Sequence, residues 1–232
     1  MSEQSTTKIR QSEKPKIVDS TEGALPLVFV DKPFGWLSVD PTHRKSDDLI
    51  VARWLEAELG QKVFPCHRLD RETSGVMVFA LSADSHRAIN SLFEVGKVRK
   101  TYEAICHGAV PAPIFKVNSP IEGKPAITRF EILETLTASS QPRGGQFFSI
   151  QACPTTGRRH QIRIHLKEAG APIVGDVKYG GLDRFGVEFT RFALHARKIE
   201  IPLDVNKSIH VKIVEVPLPL DMQSWKSHLR HE

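Results

Sequence analysis

The chain has 232 residues, 40% hydrophobic and 25% charged, the balance of a soluble globular protein long enough to bury a sizeable core. Lys and Arg number 32 against 27 Asp and Glu; the net charge of +5 excludes an acidic, calcium-buffering chain and leaves a polyanionic partner open. No apolar run reaches the ~18–20 residues of a membrane span, and residues 1–20 lack the apolar core of a secretory signal. Cys66, Cys106 and Cys153 are odd in number and widely spaced, so they form neither a disulfide frame nor a paired-cysteine zinc site. A reducing, cytoplasmic compartment is the expectation.

In chain order, residues 1–22 are polar and aperiodic and read as a disordered tail, leaving 23–232 as one domain. Leu27-Val28-Phe29-Val30 is a short strand entering the turn Asp31-Lys32-Pro33-Phe34-Gly35. Ser46, Asp47 and Asp48 suit a helix start; Ile50, Trp54, Leu55 and Leu59 recur at helical spacing and Gly60 ends it. Gly75–Leu81 is continuously apolar, as in a strand covered on both faces. Ser82 and Asp84 open a second helix. Strands are expected over 100–106, 126–134, 146–152, 191–199 and 209–216, with residues 139–145 as a loop tip. Strands in runs with about three helices point to an α+β fold and not to the regular βαβ alternation of a doubly wound one.

Two clusters could carry chemistry. The first, Cys66-His67-Arg68-Leu69-Asp70-Arg71-Glu72-Thr73-Ser74-Gly75, is a loop held by a buried strand. Asp70 lies between Arg68 and Arg71, and a carboxylate among guanidinium groups stays ionised, suiting a nucleophile better than a general acid. A salt-bridged surface turn would look the same. The second runs from Thr156 to Lys167. If it is helical, Ile162, Leu166 and Ala169 form an apolar stripe while Arg159, Arg163 and Lys167 stack on another face. Such like charges repel unless a bound polyanion or a buried carboxylate offsets them. Gly157 ahead of the helix leaves amides free to meet a phosphate. Residues 151–200 hold nine Lys or Arg against five Asp or Glu, so four of the five net charges fall there. That makes a nucleic-acid backbone the leading partner class. His160 and His165 are five apart and have no Cys or Glu to complete a metal site, and no phosphate-binding glycine loop or serine elbow is present.

His67-Arg68-Leu69-Asp70-x-x-Thr73-Ser74-Gly75 resembles the central signature of the RluA-type pseudouridine synthases. Lys32-Pro33-x-Gly35, Lys100-x-Tyr102-x-Ala104, Pro120-Ile121, Lys124-x-Ala126-x-Thr128, Gly157-Arg158-x-His160-Gln161-Ile162-Arg163-x-His165-Leu166, Pro172-Ile173-x-Gly175-Asp176-x-x-Tyr179-Gly180 and Leu194-His195-Ala196 follow in the family's order. The match spans about 27–216. The resemblance implies the family's single α+β domain, a long mixed, mostly antiparallel sheet flanked by helices and loops. It also implies an RNA uridine isomerase with no cofactor and no metal, acting on a stem-loop of ribosomal or transfer RNA, as a monomer. It makes Asp70 the nucleophile, Tyr102 the active-site aromatic and Arg163 the partner of Asp70. Arg68 would fill the vacancy left by the flipped base, and Lys32, Arg158, Arg159 and His160 would contact RNA. Tyr102 could stack on uracil or move the C5 proton. Many relatives carry an N-terminal RNA-binding domain; here loops such as 135–146 would select RNA. Cys66 reads as a small buried hydrophobe. The alternatives are a non-catalytic RNA-binding protein on this scaffold, or a hydrolase using Asp70 with Glu72 as acid.

Overall fold

The computed structural model describes residues 13–40, 49–136, 146–205 and 208–231. In chain order the elements are β1 (Lys16–Thr21), β2 (Leu27–Lys32), α1 (Val51–Leu59), β3 (Phe64–Pro65), β4 (Ser74–Ala80), α2 (Ala83–Glu94), β5 (Arg99–Gly108), β6 (Ile114–Val117), β7 (Thr128–Leu136), β8 (Gln146–Pro154), α3 (Gln161–Glu168), β9 (Arg184–Phe185), β10 (Val187–Glu188), β11 (Leu194–Val205), β12 (Ser208–Glu215) and α4 (Leu220–His231). Ten strands form one mixed sheet in the order β1-β2-β4-β11-β5-β8-β7-β6, with β12 on β11 and β3 on β4. The expected α+β class holds.

β4 is the middle of this sheet, and all seven of its residues are buried. Its alternation divides the core in two. Met77 and Phe79 join Val28, Val30, α1, α3 and α4 in one apolar cluster, while Val76, Val78 and Ala80 join Leu27, Phe29, α2 and the β11–β12 hairpin in the other. A continuous apolar run is what a strand covered on both faces requires. β11 runs parallel to β4 only over His195↔Ser74 and Ala196↔Gly75, and there the backbones nearly touch. Gly75 has φ +115°, and a Cβ there would stand 2.2 Å from the Ala196 carbonyl oxygen. Gly75→Ala is therefore expected to cost about 3 kcal/mol of stability, read as a lower urea midpoint. A wild-type midpoint would show that β11 can yield.

The helix signals hold where the structure describes them. Ser82 Oγ accepts the Ser85 amide at 3.1 Å and caps α2. Gly60 closes α1 in the left-handed conformation. That helix starts at Val51; Ser46, Asp47 and Asp48 lie outside the described residues, as does the loop tip 139–145. Three expectations need correction. The polar stretch read as a tail to residue 22 supplies β1 at the sheet edge, where one neighbour satisfies the backbone and little apolar content is needed. The helix around 158–167 begins only at Gln161. The chain also has α4, whose buried Met222, Trp225 and Leu229 recur at helical spacing behind Pro217 and Pro219, which read as loop punctuation.

Candidate active site

The loop between β3 and β4 carries Asp70 and is held by its own carbonyls. Ser38 Oγ donates to the Leu69 carbonyl (2.8 Å) and accepts its amide (2.9 Å). The Arg71 carbonyl accepts the Gly35 amide at 2.8 Å and Lys32 Nζ at 3.0 Å. The Glu72 carbonyl accepts Arg191 Nη1 at 3.1 Å. Lys32 is wholly buried and also donates to Pro33 O and Trp36 O, so each ammonium hydrogen ends on a carbonyl. Burial, then the nearby Arg191, lowers its pKa to about 7. Lys32 is thus a tether of the Asp70 loop, not a contact for RNA, correcting the expectation. Arg191 is equally buried; its Nε and Nη2 grip Asp221 of α4 at 2.7 and 3.0 Å.

Asp70 meets a guanidinium, though not from its sequence neighbours. Arg68 is exposed and Arg71 Nε donates to Gly35 O; Arg163, 93 residues away on α3, places Nη1 3.2 Å from Asp70 Oδ2. The stripe of like charges expected on this helix does not exist. Arg159 precedes α3, Lys167 is exposed, and Arg163 is buried. A buried carboxylate offsets the charge of Arg163: its Nε and Nη2 bind Asp176 at 2.6 and 2.8 Å. Its guanidinium also packs 4.1 Å from the Phe192 ring centroid and 4.9 Å from that of Tyr179. Burial lowers the Arg163 pKa, but the bonds and charge of Asp176, then those of Asp70, outweigh it and leave it raised.

His160 ends the approach to α3 with φ +56°, a left-handed conformation seldom adopted by non-glycine residues. Nδ1 lies 2.8 Å from the Tyr179 hydroxyl and Nε2 lies 3.8 Å from Asp70 Oδ2. Burial lowers its pKa, with Asp70 opposing, which favours the neutral ring. Tyr102 sits on β5 between Ala196 of β11 and Ala152 of β8. Burial first, and the charge of Asp70 second, raise its phenol pKa, which keeps it protonated and fits stacking or donation rather than proton abstraction. Behind Tyr102, Glu103 is buried and receives Ser149 Oγ (2.7 Å), Lys226 Nζ (2.9 Å) and Arg197 Nη1 (3.1 Å). Burial raises the Glu103 pKa, but the Lys226 and Ser149 hydrogen bonds prevail and lower it.

The start of α3 is fastened by Gln161. Its Oε1 accepts Thr156 Oγ1 (2.7 Å) and the Arg158 amide (3.0 Å), while Nε2 donates to Ile127 O and Thr128 Oγ1 (both 3.0 Å). The Arg158 amide is therefore committed and does not await a phosphate, and Arg158 Nε donates to Pro125 O. Arg159 and Lys178 stand at the rim of a cavity of about 300 Å³ lined by Ile121, Glu122, His160, Ile164 and Tyr179. Asp70, with a side chain 28% exposed, and His160 connect this cavity to the buried ion pairs. Cys66 is buried, and burial pushes its thiol up to about 12. Sequence reasoning assigned no role to Asp176, Tyr179, Arg191 or Asp221. The first two sat within a quoted motif, and a carboxylate just beyond a basic helix was the available signal.

The RNA pseudouridylate synthase family profile matches residues 26–168. The tRNA pseudouridine synthase C of Salmonella typhi is 33% identical over 199 residues, covering 75% of this chain and 76% of the relative. The dual-specificity RNA pseudouridine synthase RluA of Haemophilus influenzae is 33% identical, covering 75% and 82%. In fold, the human RNA pseudouridylate synthase domain containing 4 superposes with a TM-score of 0.67 at 24% identity, covering 90% of this chain and 91% of that one. The chain belongs to the RluA-type RNA pseudouridine synthases, isomerases that act on RNA.

Proposed function

We propose that the chain isomerises a uridine in a structured transfer or ribosomal RNA, with Asp70 as the nucleophile. The observation that carries this reading is a partly exposed carboxylate held on Arg163 and set 3.8 Å from His160, which lines the cavity. The bond from C1′ to N1 breaks as Asp70 attacks or stabilises the anomeric carbon, much as glycosidase carboxylates do. The uracil turns, C5 bonds to C1′ as the Asp70 oxygen departs with its electron pair, C5 loses a proton and N1 gains one. Atoms and charge balance with no co-reactant, and the uracil anion stays in the pocket, so no acid has to release it. Tyr102, protonated, offers its ring to the uracil. The relatives named for tRNA, and for dual specificity, support the substrate class.

The base of a folded stem is unreachable until it is flipped out, at a cost of a few kcal/mol. In this reading exposed Arg68, two residues before Asp70, fills the vacancy, and exposed Arg159 and Lys178 meet phosphates beside the cavity. A stem-loop bound by a monomer in the cytoplasm is the arrangement we infer, with residues 137–145 of the proposed selecting loop outside the described set. Incubating the protein with unmodified total RNA and mapping pseudouridine by carbodiimide-based sequencing tests the reading. Discrete new sites in transfer or ribosomal RNA are expected; RNA bound with no product would leave only a binding protein. Arg68→Ala should lower kcat/KM on a folded stem-loop about 10- to 100-fold and change a single-stranded substrate far less. Equal losses on both would remove the vacancy-filling role.

A further inference from the structure

We propose that Asp176 is a positioning residue that keeps Asp70 reactive by taking the larger share of the charge of Arg163. The inference rests on the reading of Asp70 as nucleophile. Its basis is the unequal division of one guanidinium between two carboxylates. Asp176 binds Nε and Nη2 as a bidentate fork at 2.6 and 2.8 Å, whereas Asp70 has a single contact to Nη1 at 3.2 Å. Fork geometry is the strong form of the arginine–carboxylate bond, and the single longer contact is the weak one. The side chain of Asp176 is 1% exposed and that of Asp70 28%, so the tighter pair is also the drier one.

The arrangement is rigid from both ends. The Asp176 amide donates to Ile173 O at 3.1 Å, and its carbonyl accepts the amides of Tyr179 (3.0 Å) and Gly181 (2.9 Å). Gly175 before it has φ +77°, and a Cβ there would lie 2.0 Å from Arg191 O, so the turn can approach the segment ahead of β11 only through glycine. The guanidinium also packs against the Phe192 and Tyr179 rings, contacts that oppose its rotation to trade one carboxylate for the other. An arginine paired with Asp70 alone would neutralise the attacking oxygens. Two carboxylates on one arginine leave the cluster one negative charge in excess, and the weaker pairing leaves that charge on Asp70, the more exposed of the two.

Asp176→Asn keeps the shape and removes the charge. Turnover is read as tritium released to water from bulk unmodified transfer and ribosomal RNA labelled at uridine C5. In the variant kcat should fall about 100-fold with KM nearly unchanged. The acidic limb of kcat should move about one pH unit lower, because Asp70 then holds the whole guanidinium charge and is harder to protonate. The other titratable groups facing Asp70 are unaltered: His160 ahead of α3, Tyr179 from the turn, Tyr102 from β5 and Lys32 from β2. Repeating the profile in a His160→Asn background assigns the limb to Asp70. Asp176→Glu retains the charge and should keep the limb at the wild-type pH with a smaller loss of rate; it carries the test if Asp176→Asn does not fold. A limb that stays put or moves to higher pH in Asp176→Asn would mean that Arg163 has merely come loose, and would overturn the proposal, as would a shifted limb in Asp176→Glu. Asp70→Asn separates the two claims. Turnover by that variant removes the nucleophile itself, whereas its inactivity beside an unshifted Asp176→Asn profile removes only the role of Asp176.

Discussion

Asp70→Asn is expected to lower pseudouridine formation by at least about 10⁴-fold while RNA binding persists. The substitution is nearly isosteric and leaves the loop's anchors in place, because Ser38, Lys32 and Arg191 hold backbone carbonyls and not the Asp70 side chain. What disappears is the anionic oxygen near the anomeric carbon; an amide presents no equivalent nucleophile and turns a dipole, not a charge, towards Arg163. Arg163 keeps its bidentate bond to Asp176, so the fold should lose only about 1 kcal/mol. Tritium release from C5-labelled RNA beside a filter-binding assay gives both quantities. Product at wild-type level from the variant would refute Asp70 as nucleophile, and loss of binding in parallel would make the residue a contact first.

The second large effect is expected from Arg163→Ala, on stability as well as turnover. Had the arginine lain on an exposed basic face, its removal would have cost little. Instead its side chain is 8% exposed and serves two carboxylates, one of them 1% exposed. Truncation strands Asp176 in the core without a cation and opens a gap against Phe192. Leaving one partner of a buried ion pair alone costs about 3–5 kcal/mol, enough to endanger a marginally stable domain. Turnover should be lost with it, since Asp70 loses the guanidinium that holds it. Arg163→Lys retains the charge but cannot form a fork and a third bond together, so it should recover more stability than rate. Urea midpoints for the two variants decide the matter, and an unshifted midpoint for Arg163→Ala would show that the buried triad contributes nothing to folding.

Local chemistry proved legible wherever one segment decides its own fate. The apolar run of β4, the Ser82 cap and the Gly60 stop need only their own residues to specify them. The Asp70 loop was legible because its polar cluster abuts a buried strand. Long charged side chains were misread or passed over, and for one reason: whether Lys32, Arg163 or Arg191 is buried depends on acceptors far along the chain. Lys32 finds Arg71 O, Arg163 finds Asp70 and Asp176, and Arg191 finds Asp221, at separations from 13 to 93 residues. Helical spacing sees only the near neighbours, so it grouped Arg163 with Arg159 and Lys167 and could not say which carboxylate would offset it. The motif resemblance paired Arg163 with Asp70, which is where the structure brings them together, but it offered no role for the residue that shares the arginine.

The C-terminal helix bears on how this protein can be divided. Asp221 of α4 holds Arg191, which holds the Asp70 loop, and Lys226 holds Glu103 behind Tyr102. The matched family segment ends at residue 168, so a fragment cut to it would keep Asp70, Tyr102 and Arg163 but discard Asp176, Arg191 and Asp221. Such a fragment would carry the chemical groups without the counter-charges that allow them to be buried. The smallest transplantable unit is therefore everything from β2 to α4, and a module grafted on to redirect the enzyme to a chosen RNA has to be joined outside those limits.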